Sequence, residues 1–401
     1  MDLLGRTFSS LRTRNFRLFF IGQGISNSGN WLTTVALGLL VLHRTGSGTA
    51  VGILAVCQYG PLLVIAPWAG LIADRSDKRR LLYVTQTLEM AESFVLAGLA
   101  AAPHSPLLAQ YGTALVGGCL LAFDNPARRS FVSEMVHERD VPNAVTLYSA
   151  MNAVSRVLGP TVAGALVVTL GYAWCFTIDG LSYLVVLAAL ALMRKGELYS
   201  GPATVRGRGQ IREGLRYVVT SPELRCNFLM LLIIGVASYN FTVVLPLFAE
   251  RGLAGTDAQY TLIYAAFSLG GVLGTLVVAR RAVVRLHSIV WGAAAFGVAL
   301  LLLGVTPNLT VAYPLAALVG GTSVAYLTAT TAFVQLQSRR DMVGRVLALQ
   351  TVLQLGTTPI GGPILGFVAD VLGGRSPVLI GGIAALAAAA VGLPTLRRSS
   401  S

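Results

Sequence analysis

The chain contains twelve continuous apolar runs, each long enough to cross the hydrocarbon of a lipid bilayer as a helix. A membrane-spanning helix needs roughly 20 apolar residues. Strands of a membrane barrel would instead alternate polar and apolar residues over about ten positions. The sequence therefore predicts an all-α membrane protein with twelve spans. We number these spans 1 to 12, and they fall near residues 18–42, 49–73, 81–102, 107–124, 143–169, 172–193, 224–249, 258–279, 288–305, 309–334, 345–369 and 376–396.

The composition excludes a soluble protein of ordinary type. Of the 401 residues, 54% are hydrophobic and only 12% are charged, and the mean hydropathy is +0.70. Soluble domains carry roughly 25% charged residues, because they must cover their surface with polar groups. The long first apolar run has no small-residue cleavage site, so we expect it to be retained as span 1 and not removed as a signal peptide.

The formal net charge of +13 is explained by membrane topology. If the N-terminus is cytoplasmic, 26 of the 30 Lys and Arg residues fall on the cytoplasmic side, three fall outside and Arg156 lies within span 5. Basic residues near membrane spans are retained on the cytoplasmic side. We therefore predict a multi-pass protein of the plasma (inner) membrane with both termini cytoplasmic, and no nucleic-acid partner.

An internal repeat relates the two halves of the chain. Residues 131–171 align without gaps with residues 333–373, at an offset of 202. The alignment pairs three glycines: Gly159 with Gly361, Gly164 with Gly366 and Gly171 with Gly373. Because apolar sequences often match by chance, these glycines and the matching span numbers (5 and 11) carry the inference.

The repeat predicts two pseudo-symmetric six-helix bundles, at 1–193 and 223–401, joined by a cytoplasmic loop at 194–222. Parallel repeats of this kind are typical of secondary transporters, in which the substrate site lies near the bilayer midplane between the repeats. The predicted partners are the lipid bilayer and a small-molecule substrate, and we expect a monomer.

The loop between spans 2 and 3 reads GLIADRSDKRRL (70–81). Its sequence resembles the signature loop of the major facilitator superfamily, and the spans, central loop and repeat fit that family along the whole chain. One position departs, because Asp77 stands where many members have Gly. The resemblance implies transport by alternating access and a conformational latch on the cytoplasmic side. The latch residues would be Gly70, Asp74, Arg75, Arg79 and Arg80.

Two further stretches are similar to the drug:proton antiporter and siderophore-exporter branch of that superfamily. The first is FDNPARRSFVSEMV (123–136), and the second is SRVLGPTVAGAL (155–166) in span 5. In the second, Gly159, Pro160 and Gly164 match the antiporter motif, whereas its upstream glycines are missing. A proline removes one backbone hydrogen bond, and small residues allow helices to pack closely. Packing alone is therefore the alternative interpretation of this motif.

Four ionisable residues fall inside predicted spans and are candidates for proton coupling: Glu89, Glu92, Arg156 and Asp179. A charge at the bilayer centre costs roughly 2.5–3.5 kcal/mol on insertion scales, so such residues are usually functional. At the helical rise per residue, Glu92 lies about 16 Å into span 3, a depth similar to that of Arg156 in span 5. We predict a buried ion pair between them. Two interpretations remain open. In the first, Glu92 or Asp179 binds and releases a proton during transport. In the second, the ion pair between Glu92 and Arg156 is static and only stabilises the fold.

Polar or aromatic residues in the middle of spans are candidates for lining a substrate cavity. They are Asn30, Trp31, Gln58, Tyr59, Asn152, Tyr239, Asn240, Phe241, Tyr326, Gln350 and Gln354. Taken singly, each is more often a helix–helix hydrogen bond than a ligand contact. As a set they predict an amphipathic, weakly charged cavity suited to bulky apolar or cationic compounds.

Motifs for other functions are missing from the sequence. A phosphate-binding loop, a metal-ligand spacing and a catalytic triad pattern are all absent, so we expect neither an enzyme nor ATP-driven transport. The predicted function is proton-coupled efflux of small amphipathic compounds, with the proton gradient as energy source and without a cofactor. The alternatives are a dedicated exporter of one metabolite, such as a siderophore, and a non-transporting sensor or lipid-flipping scaffold.

Overall fold

The computed structural model describes residues 8–199, 210–279, 285–339 and 342–399, and it is almost entirely helical over them. The helices of the first half are α1 (Arg14–Thr45), α2 (Gly48–Arg75), α3 (Lys78–Ala101), α4 (Leu107–Glu134), α5 (Val141–Leu170) and α6 (Tyr172–Leu192). Those after the central loop are α7 (Gln210–Thr220), α8 (Pro222–Ala237), α9 (Phe241–Leu247), α10 (Asp257–Ala279), α11 (Leu286–Gly304), α12 (Leu309–Gln337), α13 (Val343–Gly356), α14 (Thr358–Leu372) and α15 (Ser376–Ser399). Short 3-10 turns lie at Ser9–Arg12, Glu138–Asp140 and Lys195–Glu197, and a π turn lies at Phe248–Gly252.

Eleven helical segments of the described residues are long and apolar enough to cross a membrane. They coincide with eleven of the predicted spans, which confirms the all-α membrane fold. The remaining span corresponds to α3, a helix of 24 residues whose glutamates Glu89 and Glu92 lower its mean hydropathy. Because α3 packs against α4 and α6, it lies among the spanning helices of its bundle.

Three spans differ in detail from their predicted form. The prediction ends span 4 at residue 124, whereas α4 continues to Glu134. Charged residues and Pro126 mimic a helix end in the sequence, but Asp124 and Arg128 lie one turn apart and neutralise each other inside the helix. Spans 7 and 11 are each broken into two helices, α8 with α9 and α13 with α14.

The chain divides into two compact units. The first contains residues 8–40 and 60–199, and the second contains residues 41–59 and the described residues from 210 onwards. The end of α1 and the start of α2 therefore belong to the second unit by their contacts. The domain limits predicted at 193 and 223 stay a prediction.

In the first unit, α3 packs against α4 and α6, and α5 contacts both of these helices. A buried hydrophobic core joins α1 to α4, with the rings of Phe19 and Phe131 edge to face at 5.7 Å between centroids. Gly159 on α5 allows close approach to α1, because a Cβ at this position would overlap the Cβ of Trp31.

In the second unit, glycines let the backbones of α10 and α12 pack close together. A Cβ on Gly270 or Gly274 of α10 would overlap the carbonyl oxygen of Ala317 or Gly321 on α12. Small residues at such interfaces let helix backbones meet in membranes, where packing replaces the hydrophobic effect as the source of helix association. The helix α11 packs against α12 and α15, and α15 packs against α8.

Two pairs of glycines in the repeat have matching roles in the two units. Gly171 ends α5 and Gly373 ends α14, with backbone φ angles of 84° and 90°. Glycine adopts positive φ without steric cost, which explains its presence at both helix ends. Gly159 approaches the backbone of α1, and Gly361 approaches the carbonyl of Val236 on α8. Gly171 and Gly373 thus form equivalent helix ends, and Gly159 and Gly361 set equivalent helix contacts.

Candidate functional site

An ion pair on α4 lies at the centre of the polar interior of the first unit. The Arg128 guanidinium pairs with the Asp124 carboxylate one helical turn before it. Both side chains are buried, with 3% of Arg128 and none of Asp124 exposed. An ion removed from water is strongly destabilising unless it is paired and hydrogen-bonded, so this interior is built around the pair.

The guanidinium also binds amide side chains on α1. Arg128 Nη1 donates to Gln23 Oε1 and to Asn27 Oδ1, each at 2.9 Å. The amide of Asn27 donates in turn to Asn152 Oδ1 on α5, also at 2.9 Å. The planar guanidinium presents five N–H donors in a fixed fork. One arginine therefore connects α4 directly to α1, and through Asn27 to α5.

Two side chains of α3 bind the other side of the pair. Thr85 Oγ1 and Gln86 Nε2 donate to Asp124 Oδ1 at 2.8 and 2.9 Å. Gln86 Nε2 also donates to Glu89 Oε2 at 3.0 Å. Only 4% of Glu89 is exposed, so a second carboxyl group joins the same buried set.

A third carboxyl group, Asp179 on α6, completes the arrangement. Its Oδ2 accepts from Thr33 Oγ1 of α1 at 2.7 Å and from Ser93 Oγ of α3 at 2.9 Å. A Cβ on Gly29 of α1 would overlap its other oxygen, so this glycine leaves room for the carboxyl group. We call Glu89, Asp124, Arg128 and Asp179, with the amide and hydroxyl groups that bind them, the carboxylate network.

The structure separates the four ionisable residues predicted from the sequence. Glu89 and Asp179 lie in the carboxylate network, whereas the carboxyl group of Glu92 lies against Gly117 of α4. Arg156 is exposed, and its guanidinium carbon lies 5.5 Å from the ring centroid of Trp31. The ion pair predicted between Glu92 and Arg156 is therefore wrong for the described residues, because equal depth did not place the two side chains on facing helix surfaces.

Sequence reasoning missed Asp124 and Arg128. Both stand in FDNPARRSF, which the prediction assigns to the end of span 4 and the following loop. The available signal was the spacing of four residues between an acid and a base, which allows an ion pair on one face of a helix. That spacing also occurs on solvated helices, so only the packing of α1 and α3 around α4 shows that the pair is buried.

In the loop between α2 and α3, charged side chains bind helix ends of the same unit. Asp77 caps α3 by accepting from the Arg80 backbone N–H at 3.1 Å. Capping gives a physical reason for the aspartate at the position where the resemblance led us to expect glycine. The Arg79 guanidinium donates to the carbonyl oxygens of Leu190 and Ala191 at the end of α6.

The remaining latch and motif residues are placed as follows. Gly70 is buried on α2, Arg75 is exposed at its end, and Arg80 is exposed 3.5 Å from the Asp77 carboxylate. The side chain of Asp74 lies outside the described residues. Pro160 and Gly164 are buried within α5, which is continuous through the proline. The roles of these residues in a conformational latch or an antiporter motif stay predictions.

Cavity candidates of the first unit are held by other side chains. Asn30 Oδ1 accepts from the Tyr183 hydroxyl at 2.9 Å, and Asn152 is part of the hydrogen-bond chain from Arg128. Trp31 lies beneath Arg156. Each of these side chains thus has a contact that also serves helix packing.

Two cavity candidates of the second unit, Tyr239 and Phe241, lie at the break between α8 and α9 and pack with Phe267 of α10 and Phe296 of α11. The ring of Phe241 lies 4.4 Å from that of Phe267 and 6.3 Å from that of Phe296, while Tyr239 stacks on Phe296 at 5.5 Å. The Tyr239 hydroxyl donates to the Ser323 carbonyl at 2.6 Å. We call Tyr239, Phe241, Phe267 and Phe296 the aromatic cluster.

The other candidates of this unit are more dispersed. Asn240 donates to the Val236 carbonyl at 2.7 Å and so supports the break between α8 and α9. Tyr326 is buried, and Gln350 donates to the Thr331 hydroxyl at 2.9 Å. Three further candidates are half-buried: Gln58, Tyr59 and Gln354.

A second charged site lies at the start of α2, within the second unit. The Asp370 carboxylate, on α14, accepts from the backbone N–H groups of Gly48 and Thr49 at 2.7 and 2.8 Å. It also accepts from the Thr49 hydroxyl at 2.6 Å and from Arg251 Nη1 at 2.7 Å. A carboxylate at a helix N-terminus satisfies free N–H groups and is favoured by the helix dipole.

Comparison with known proteins agrees with this architecture. The family model described as transmembrane secretion effector matches residues 5–399. The staphyloferrin A transporter of Staphylococcus aureus (strain NCTC 8325 / PS 47) is 25% identical over 365 residues, covering 89% of this chain and 90% of its own length. The multidrug efflux pump Tap of Mycolicibacterium fortuitum is 26% identical over 398 residues, covering 93% of this chain and 94% of its own length.

A solved structure with the same fold is a bacterial homologue of the human lysosomal transporter Spinster, in an inward-facing and occupied conformation. It matches with a TM-score of 0.73 over 96% of this chain and 97% of that chain, at 16% identity. The fold likeness and the family match over nearly the whole length agree with the membrane helices, the repeated glycines and the buried polar interior. The chain therefore belongs to the transmembrane secretion effector family of the major facilitator superfamily, and it is a transporter.

Proposed function

We propose that this transporter exports small amphipathic compounds by alternating access and that the carboxylate network couples export to proton entry. The observation that carries the coupling is the charge balance of the network. The network contains three buried carboxyl groups, those of Glu89, Asp124 and Asp179, but a single guanidinium, that of Arg128, which pairs with Asp124. In a low-dielectric interior an unbalanced charge is very unfavourable. Neutrality of this set therefore requires two bound protons.

The hydrogen bonds explain how conformational change would move those protons. Glu89 and Asp124 share a donor in Gln86, and Asp179 is bound from two different helices. A movement of α1 or α3 would break some of these hydrogen bonds. A carboxylate that loses its donors is unfavourable in the charged form, so it would bind a proton. The energy source is then a proton gradient, and the mechanism needs no cofactor or catalytic residue.

The aromatic cluster supports an amphipathic substrate. Phe267 and Phe296 are buried and support the half-buried rings of Tyr239 and Phe241, whose polarisable faces can bind apolar rings and cations without a fixed hydrogen-bond pattern. The likeness to the multidrug efflux pump Tap favours a broad range of compounds. The likeness to the staphyloferrin A transporter supports the second candidate, a dedicated exporter of one metabolite.

The cellular setting belongs to the same proposal. The excess of Lys and Arg in the predicted cytoplasmic loops supports a plasma (inner) membrane protein with both termini cytoplasmic. We propose that the transporter works as a monomer and has no nucleic-acid partner, since the topology explains its positive charge.

The test is uptake of a panel of amphipathic dyes and drugs into inside-out proteoliposomes, with and without an imposed pH gradient. We expect gradient-dependent transport of several compounds, and its loss in Glu89→Gln and Asp179→Asn. Glu138→Gln is the control, because this glutamate is exposed in the turn between α4 and α5, away from the network, and it should keep the gradient dependence. Gradient-independent transport by the unmodified protein contradicts proton coupling, and transport of a single compound from the panel favours the dedicated exporter.

A further inference from the structure

The short helix α7 in the central loop is fixed to the second unit by one face. Its Glu213 pairs with Arg345 of α13 at 2.7 Å, and the Tyr217 hydroxyl accepts from the Arg339 backbone N–H at 3.2 Å. Gly214 lies against Leu349 of α13, since a Cβ there would approach Leu349 Cδ1 at 3.2 Å. The orientation of α7 is therefore determined by contacts.

The opposite face of α7 combines exposed apolar and cationic side chains. Leu215 is 53% exposed and Val219 is 50% exposed. Arg212 and Arg216 are also exposed, and neither forms an ion pair with a described residue. Positions 212, 215, 216 and 219 lie three or four residues apart, so they form one continuous surface along the helix. We call these four residues the α7 surface.

We propose that the α7 surface binds anionic phospholipid headgroups at the cytoplasmic side of the membrane. Interfacial helices of this kind place apolar side chains at the boundary of headgroups and acyl chains, while their arginines attract anionic lipids. Two large apolar side chains would be unfavourable in water. Arg212 and Arg216, which pair with no acidic residue in the described part of the chain, match the negative charge of the lipid.

This binding site also has a route to transport, a consequence that rests on the proposed function. The docked face of α7 contacts α13 through Arg345 and Leu349. The same helix carries the cavity candidate Gln350, and it ends at the break before α14. Lipid that holds α7 in place therefore stabilises one arrangement of α13, and the proposal predicts that the transport rate changes with the content of anionic lipid in the membrane.

The direct test is hydrogen–deuterium exchange of the full chain in nanodiscs. Discs of phosphatidylcholine alone are compared with discs that contain increasing phosphatidylglycerol. We expect the amides of α7 to exchange more slowly as phosphatidylglycerol rises. In the double variant Arg212→Gln/Arg216→Gln the apparent affinity for phosphatidylglycerol should fall roughly 30-fold, from the usual contribution of a basic residue at an anionic surface.

The matched control is Arg139→Gln/Arg194→Gln, which removes the same charge from exposed arginines that already pair with acidic residues. It should keep the lipid effect. Equal exchange of α7 in both lipids for the unmodified protein, or equal loss in the control, overturns the proposal. Since exchange is measured without transport, a protein that transports nothing in either lipid contradicts the proposed function and leaves the lipid test valid.

Discussion

Arg128 is the residue on which the buried polar groups of the first unit converge. It pairs with Asp124 and binds Gln23 and Asn27, so a single side chain connects α4 with α1. Lysine could not replace it, because an ammonium group lacks the planar fork that reaches several acceptors at once. The buried charge of Arg128 is therefore tolerated only because Asp124, Gln23 and Asn27 bind it.

Removal of the guanidinium should therefore destabilise the protein. In Arg128→Gln the Asp124 carboxylate loses its buried cation, and breaking such a pair costs about 3–5 kcal/mol. We expect a lower melting temperature in detergent and loss of gradient-driven transport. The double variant Asp124→Asn/Arg128→Gln removes both charges and should recover part of the stability. A single variant as stable as the unmodified protein would show that the pair is not needed.

Between elements, glycines decide which helices can approach each other. Gly270 and Gly274 bring α10 against α12, and Gly320 on α12 meets the Phe267 carbonyl of α10. Buried polar contacts also depend on glycines. The Asp179 carboxyl group fits beside α1 only because Gly29 has no side chain there. Helix contacts and buried polar groups therefore depend on the same small residues.

The same substitution at two glycines should have opposite effects. Gly274→Ala places a methyl group on the Gly321 carbonyl, and overpacking of this kind costs about 1–3 kcal/mol. Gly112→Ala on α4 has nothing within 4 Å of the new Cβ. It should be neutral or stabilise the helix by up to about 1 kcal/mol. Thermal unfolding of both variants measures the difference, and equal melting temperatures would refute the close contact of α10 with α12.

At the scale of the whole molecule, α3 determines the topology. Eleven described helical segments meet the length and hydropathy expected of a membrane span, and α3 with its two glutamates does not. Its packing against α4 and α6 places it inside the bundle. If α3 crosses the membrane, the number of crossings is even and the two termini share one side.

Reporter tags at the two termini test this directly. We expect both tags on the cytoplasmic side, the orientation that the distribution of Lys and Arg favours. A third tag at His104, in the connection between α3 and α4, should be accessible from outside. Tags at the two ends that report opposite sides would show that one helix, with α3 the first suspect, does not cross.

The sequence by itself determined the helices that span the membrane and the repeat that pairs Gly171 with Gly373. Both follow from local requirements, since a span needs a continuous apolar run and a positive φ angle favours glycine. The candidate site was predicted only in part, because Glu89 and Asp179 were found and Asp124 and Arg128 were not. Only the tertiary structure decided that Arg128 and not Arg156 faces the carboxyl groups. Depth along a helix can be counted in residues, whereas the choice of partner depends on how each helix is rotated and which neighbour it packs against.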